Sequence, residues 1–267
     1  MTSHGIIRPG ICSVTFRDLD LAQVVEATAE AGLECIEWSG NAHVLPGDLD
    51  AARRARELTE QAGLAVASYG TYLRFDGTDD PGAEHDVIGA ALAMGAPRVR
   101  VWAGSCDSAD VGPDDRALIV RRIQDFADAA GQEGLEVGLE FHGRTLTDEV
   151  SSTERLLVEI GRENLRTYWQ PHQGMPADQA VQTLHRVLPQ VSTIHVFSWW
   201  PMAERLPLAE RAGLWREVFA VLAEEGSARD ALLEFVPDDD PAILSREAAT
   251  LRELIADGAR ATAGGAR

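Results

Sequence analysis

Apolar residues recur along this chain in short runs with a large side chain at every second position. The stretches between those runs carry apolar residues three and four apart. The first spacing is that of a buried strand, the second that of a helix lying on it. The runs predict strands over residues 11–16, 35–38, 64–69, 98–102, 138–142, 166–170, 191–197 and 231–236. The longer period predicts helices over 21–31, 48–63, 82–94, 113–132, 152–161, 177–188, 210–225 and 241–256. Asp20 is placed to cap the first helix and Gly32 to end it. Eight strand–helix alternations close a (β/α)8 barrel. The fold class is therefore α/β, a single TIM barrel over residues 1–267 with a flexible tail after about residue 258. An open doubly wound sheet is the competing architecture, but no GxGxxG or GxxxxGKS/T motif follows any predicted strand.

A length of 267 residues is that of one such barrel, which typically runs to about 250. The 45% hydrophobic and 25% charged content gives it material for a core. Against 43 acidic side chains stand 24 basic ones, a formal net charge of −19, which repels a phosphate backbone and excludes a nucleic-acid partner. Cys12, Cys35 and Cys106 are odd in number and form no CxxC, so they read as reduced thiols of a cytoplasmic protein. The N-terminus has no basic region leading into an apolar stretch, and no run reaches the roughly 20 apolar residues of a membrane span. No membrane partner is expected.

The candidate chemistry gathers at the ends of the later strands. In Gly138-Leu139-Glu140-Phe141-His142, counting by twos puts Glu140 and His142 on one face. Tyr168-Trp169-Gln170-Pro171-His172, Ile194-His195-Val196-Phe197 and Leu232-Leu233-Glu234-Phe235 repeat the design. Taken singly, a strand-end glutamate is more often solvated, and a histidine in an apolar run is more often a hydrogen-bonded core residue. Jointly, Glu140, Gln170, His195 and Glu234 come from four successive strands at one height, where barrel enzymes build their sites. Two carboxylates buried together need a counter-charge, and a divalent cation supplies one. Their donor set suits Mn2+ first, with Mg2+, Fe2+, Co2+ or Zn2+ as other choices.

Around this set, His142 is expected to bind a substrate hydroxyl or relay a proton. Glu37 follows the second strand and is placed to orient a substrate hydroxyl or a catalytic histidine, with His43 in the loop beyond it. Arg100 shares a face with Trp102 and either supports the carboxylates from below or reaches substrate. Trp38, Tyr69, Tyr72, Trp102, Trp169, Phe197, Trp199 and Trp200 thicken near the strand ends, and such rings suit the C–H face of a sugar. Trp169 points away from Gln170 and is expected in the core; Trp199 is expected at the mouth.

These segments resemble the xylose isomerase-like TIM barrels, a superfamily of sugar isomerases, ketose 3-epimerases, keto-inositol dehydratases and endonuclease IV-type nucleases. The resemblance runs from about residue 8 to 256. The family's metal ligands, a glutamate, an aspartate, a histidine and a glutamate after the fifth to eighth strands, fall on four positions here. They are Glu140 in "GLEFHG", Gln170 in "YWQPH", His195 in "IHVFSW" and Glu234 in "LLEFVPDD". "GLECIEWSGNAHV" is similar to the family's second-strand region. The resemblance implies one divalent metal ion and a small carbohydrate or polyol ketone, isomerised or epimerised with Glu140 and Glu234 as acid and base. Gln170 departs from the family's aspartate, and His172, two residues on, is the alternative ligand or a substrate-binding group. The alternative function is a lyase, similar to keto-inositol dehydratases or to the barrel subunit of C-glycoside deglycosidases. The second of these would bring a small partner subunit; otherwise a homo-oligomer is expected. A metal-free glycoside hydrolase would leave His195 without a purpose, and nuclease chemistry is opposed by the charge.

Overall fold

A computed structural model describes residues 7–265, with side chains as far as residue 262. Eight strands alternate with eight helices: β1 (Ile7–Cys12), α1 (Leu21–Glu30), β2 (Cys35–Ser39), α2 (Leu49–Gln61), β3 (Ala65–Gly70), α3 (Ala83–Met94), β4 (Arg98–Val101) and α4 (Pro113–Gln132). The second half continues with β5 (Glu136–Glu140), α5 (Val150–Ile160), β6 (Leu165–Trp169), α6 (Ala177–Val187), β7 (Val191–Val196), α7 (Ala212–Glu225), β8 (Arg229–Leu233) and α8 (Leu244–Gly265). The strands pair in parallel in chain order, and β1 closes the barrel on β8 with Ile11 opposite Leu233.

Alternation along the strands sorts the side chains. Ile11, Ile36, Trp38, Val99, Val101, Leu139, Trp169, Ile194, Val196 and Leu233 turn outward into the core beneath the helices. Their neighbours turn inward, where Cys12, Cys35, Ala67 and Leu232 form only a small apolar cluster. Much of the interior is polar instead of the branched aliphatic filling usual in such barrels. At its N-terminal end Asp230 binds Arg8 (2.7 Å) and Arg98 (2.9 Å), and Arg98 also reaches Glu136 (3.2 Å). The cavity of about 680 Å³ at that end is lined by these paired charges. The candidate site residues lie at the other end.

Two glycines make room for bulky neighbours inside the barrel. A Cβ on Gly138 would lie 2.4 Å from the Tyr168 ring, and one on Gly70 would lie 2.6 Å from Glu37 Oε1 and 2.8 Å from Arg100 Nη2. Asp20 caps α1 in a reciprocal box with Gln23, as its position requires.

Several boundaries differ from those the sequence predicts, β5 among them at Glu136–Glu140, and three of the differences bear on the ends of the barrel. The first strand lies at Ile7–Cys12, and Ser13–Phe16 is a 3-10 turn. The Ser13 hydroxyl accepts a bond from the Ser39 backbone NH, and β-prone Val14 and Phe16 are buried, Val14 with Cys12 and Cys35 and Phe16 in the outer core. β8 starts at Arg229, because the Arg229 side chain binds the Val191 and Leu188 carbonyls and anchors the strand's start. α8 starts at Leu244, after two short 3-10 turns that contain Pro237 and Pro241, and extends to Gly265. Among the described residues no helix is long and apolar enough to cross a membrane.

Candidate active site

Glu140 ends β5, Gln170 and Glu234 lie one residue past β6 and β8, and His195 is the penultimate residue of β7. All four are buried. The His195 Nδ1 atom lies 2.9 Å from Gln170 Oε1, 3.5 Å from Glu140 Oε1 and 3.6 Å from Glu234 Oε2. Ligand atoms of Glu140, His195 and Glu234 fall within 4.8 Å of one another. Gln170 donates its amide NH2 to the Phe141 carbonyl (2.7 Å), which fixes the amide so that its oxygen faces His195. His172 does not join this group. Its ring stacks on Phe141 at 5.6 Å, and it lines the cavity above.

The two glutamates have unlike surroundings. Glu140 Oε2 accepts from Arg100 Nη1 (2.7 Å) and from Trp102 Nε1 (2.5 Å), which leaves Oε1 for the cluster. Burial pushes the Glu140 carboxyl up, but the Arg100 guanidinium and His195 outweigh it and hold it well below the ordinary range. Glu234 has no such clamp. Burial, with Glu140 and Glu37 close by, pushes it up to about 7 against the pull of His195 and Arg100. For His195, burial opposes a charge, whereas Cys12 and then the Glu234 and Glu140 carboxylates favour one; the balance stands well above the ordinary imidazole value.

This donor set fits a divalent ion. Three anionic or neutral donors and an amide oxygen converge on one small space, and a dication there would remove the repulsion that raises Glu234. Glu140, His195 and Glu234, with Gln170 Oε1, are the residues that would hold it.

The cluster forms the floor of a cavity of about 630 Å³. Arg100, Trp102, His142, His172 and Trp199 line it. His142 stacks on the Trp102 indole (centroids 4.2 Å apart, planes 25° apart), and its Nδ1 lies 2.6 Å from the Gly143 carbonyl oxygen. A carbonyl only accepts, so Nδ1 carries the hydrogen, and in the neutral form of the ring the lone pair falls on Nε2. Two of the sequence candidates sit elsewhere. Glu37 lies beneath the floor, bonded to the Ser68 hydroxyl (2.6 Å) and facing Arg100 and His195. His43 is outside the cavity, bound to the Leu19 carbonyl (3.0 Å) with its ring against Trp38. Of the aromatic residues, Trp38, Tyr69 and Trp169 belong to the outer core, because they fall on the outward register of their strands.

Sequence reasoning missed the arginines of the rim and their ring partners. Arg17 lies over Phe235 (5.5 Å), Arg205 over Phe235 and Trp199 (4.6 and 5.3 Å), and Arg74 over Trp102 (4.4 Å). Phe235 has φ 55°, a region that bulky residues avoid, and its NH is held by the Thr15 hydroxyl at 3.0 Å. Only the nearby run of aromatics hinted at this wall.

Residues 25–254 match the family described as xylose isomerase-like TIM barrel. The chain is 27% identical over 166 residues to the 3-dehydroshikimate dehydratase of Bacillus anthracis, covering 58% of this chain and 59% of that protein. It therefore spans less than two thirds of that curated relative's length. A crystal structure of the probable 3-DHS dehydratase from the same organism superposes with TM-score 0.76 at 20% identity, covering 92% of this chain and 98% of that one. The 3-keto-D-glucoside 4-epimerase of E. coli gives 0.70 at 17% identity over 92% and 99%. At these identities the superpositions attest to the fold.

Proposed function

The chain belongs to the xylose isomerase-like TIM barrel family, and from that premise we propose a divalent-metal-dependent enzyme acting on a small polyhydroxylated ketone. Its reaction opens with loss of the proton beside the carbonyl, and elimination of a β-hydroxyl is the outcome the site favours. The carrying observation is the base set above the cluster: His142 lines the cavity, stacks on Trp102 and turns its Nδ1 to the Gly143 carbonyl, which leaves Nε2 as its basic atom.

When bound, a dication supplies Lewis-acid polarisation of the ketone oxygen, with Mn2+ our first choice. The chain's own residues do the rest. His142 Nε2 takes the proton from the α-carbon. Glu140 stays ionised and holds its place. Glu234 helps to hold the cation, and the proton taken by His142 passes to the departing hydroxyl, so one proton and one hydroxide leave as water. Trp102, Trp199 and Phe235 exclude solvent and offer flat apolar faces to a ring. All 24 basic residues are arginines, so no Schiff base on a lysine competes as a mechanism. The dehydratase among the relatives agrees with elimination. Epimerisation is the second reading, supported by the approach of Glu140 and Glu234 to the same space from β5 and β8.

One experiment tests both. The Mn2+-loaded protein is incubated in D2O with ketoses, keto-inositols, 3-keto-glycosides and 3-dehydroshikimate. Elimination shows as a product lighter by water, epimerisation as an isomer of conserved formula. No exchange and no product with any Mn2+-loaded sample would end the proposal. A second expected result concerns Gln170: replacing it with aspartate adds a carboxylate to the donor set and should tighten Mn2+ binding by about tenfold. Unchanged affinity by titration would show that the amide oxygen is not a ligand.

A further inference from the structure

His195 has two ring nitrogens, and the cluster of carboxylates and amide uses only one. Its Nδ1 faces Gln170, Glu140 and Glu234; its Nε2 points the other way, is fully buried and among the described residues has no hydrogen-bond partner within ordinary reach. The nearest carboxylate oxygen is Glu37 Oε1, at 3.6 Å. Cys12 Sγ belongs to the same close group.

Glu37 is built in with care. It is 2% exposed, its Oε2 accepts from Ser68, and Arg100 Nη2 lies 3.4 Å from its Oε1. Gly70 leaves the space that this pair occupies. A buried carboxylate with no solvent contact and no substrate contact is costly unless it holds something. Arg100 accounts for one part of it, and the face toward Nε2 is left.

We infer that Glu37 is a positioning residue for His195: it receives the Nε2 hydrogen and so reserves the Nδ1 lone pair for a divalent ion held with Glu140 and Glu234. This role rests on the metal-dependent function proposed for the site. If Nδ1 is to be a ligand, the neutral ring must carry its hydrogen on Nε2, and a carboxylate behind that nitrogen fixes both the tautomer and the ring orientation. Without Glu37, the hydrogen returns to Nδ1, where Gln170 Oε1 waits at 2.9 Å. Gln170 and Glu37 thus compete for one hydrogen from opposite sides of the ring. Cys12 is a poorer acceptor, because sulfur accepts hydrogen bonds only weakly.

The test is Mn2+ titration of wild type and Glu37→Gln, reading free Mn2+ by electron paramagnetic resonance. The expected result is one ion per wild-type chain and about 10- to 100-fold weaker binding by the variant. Nitrogen-15 shifts of His195 in the Mg2+-loaded wild type should show a protonated Nε2, a readout that needs no variant and survives if Glu37→Gln fails to fold. Equal Mn2+ affinity in a folded Glu37→Gln overturns the inference and leaves the metal reading intact; a hydrogen on Nδ1 in the loaded wild type overturns the inference and removes His195 Nδ1 from the ligands. In either case Glu37 is only the counter-charge of Arg100. Weakening on Cys12→Ala but not on Glu37→Gln assigns Nε2 to the thiol and likewise overturns it. A wild type that binds no Mn2+ overturns both readings together.

Discussion

Arg100→Met is expected to cost about 3–5 kcal/mol of stability at pH 8, the range for breaking a buried ion pair from one side. Arg100 is 2% exposed and lies between two carboxylates, at 2.7 Å from Glu140 and 3.4 Å from Glu37. Methionine keeps much of the volume and removes the guanidinium that faces both. The pH dependence gives the effect its signature. In the native protein burial pushes Glu37 and Glu140 up, but Arg100 first and then His195 bring both below their ordinary values. Such groups contribute stability that is present above their unfolded values, near 4.5, and is lost as pH falls through the lower folded ones. Without the guanidinium the folded values rise, so the native state is penalised most where the carboxylates must be ionised. The deficit between variant and wild type should therefore be widest at about pH 7–8 and narrow as pH falls through about 4.5 and below. Denaturant titrations at both ends measure it. A deficit that does not change with pH would mean that lost packing, not charge, is responsible.

The same residue shows where sequence reading succeeds. The alternation in Arg98-Val99-Arg100-Val101-Trp102 puts Arg100 and Trp102 on one face, and the structure has both bonded to Glu140. Period-two counting also aligns Glu140, His195 and Glu234, because strand ends in a closed parallel barrel all face one mouth. It fails where the chain leaves the strand. His43 lies past the end of β2, in a loop whose path no periodicity describes, and it bonds backward to Leu19. The first strand departs from its expected range for a related reason: Ser13–Phe16 is as β-prone as the strand before it, and where the ladder would continue the Ser39 NH bonds the Ser13 hydroxyl and the Phe235 NH bonds the Thr15 hydroxyl. The depth of Glu37 is equally hidden. A register shift between β2 and β3 at Ile36/Glu37 brings Ser68 alongside it, and irregularities of that kind leave no mark in a pattern of apolar residues.

His142→Asn should lower kcat by about 10²- to 10⁴-fold, the loss that comes with removal of a positioned base. Solvent deuterium should no longer enter the substrate's α-position, while Mn2+ affinity stays at the wild-type level because His142 is not among the cluster's donors. Asparagine can still occupy the space beside Trp102 and bond the Gly143 carbonyl, but its outer atom is no base at neutral pH. The structure makes this assignment specific. The Gly143 carbonyl settles which nitrogen carries the hydrogen, and the Trp102 indole, itself tied to Glu140, sets the plane of the ring. Trp102→Phe keeps the stacking surface and removes the tie, so it should reduce turnover less than His142→Asn while loosening Glu140 and weakening Mn2+ binding. The two variants thus separate the base from its support. Undiminished α-proton exchange in His142→Asn would pass the role to Glu234, and Glu234→Gln would then be the variant that loses exchange.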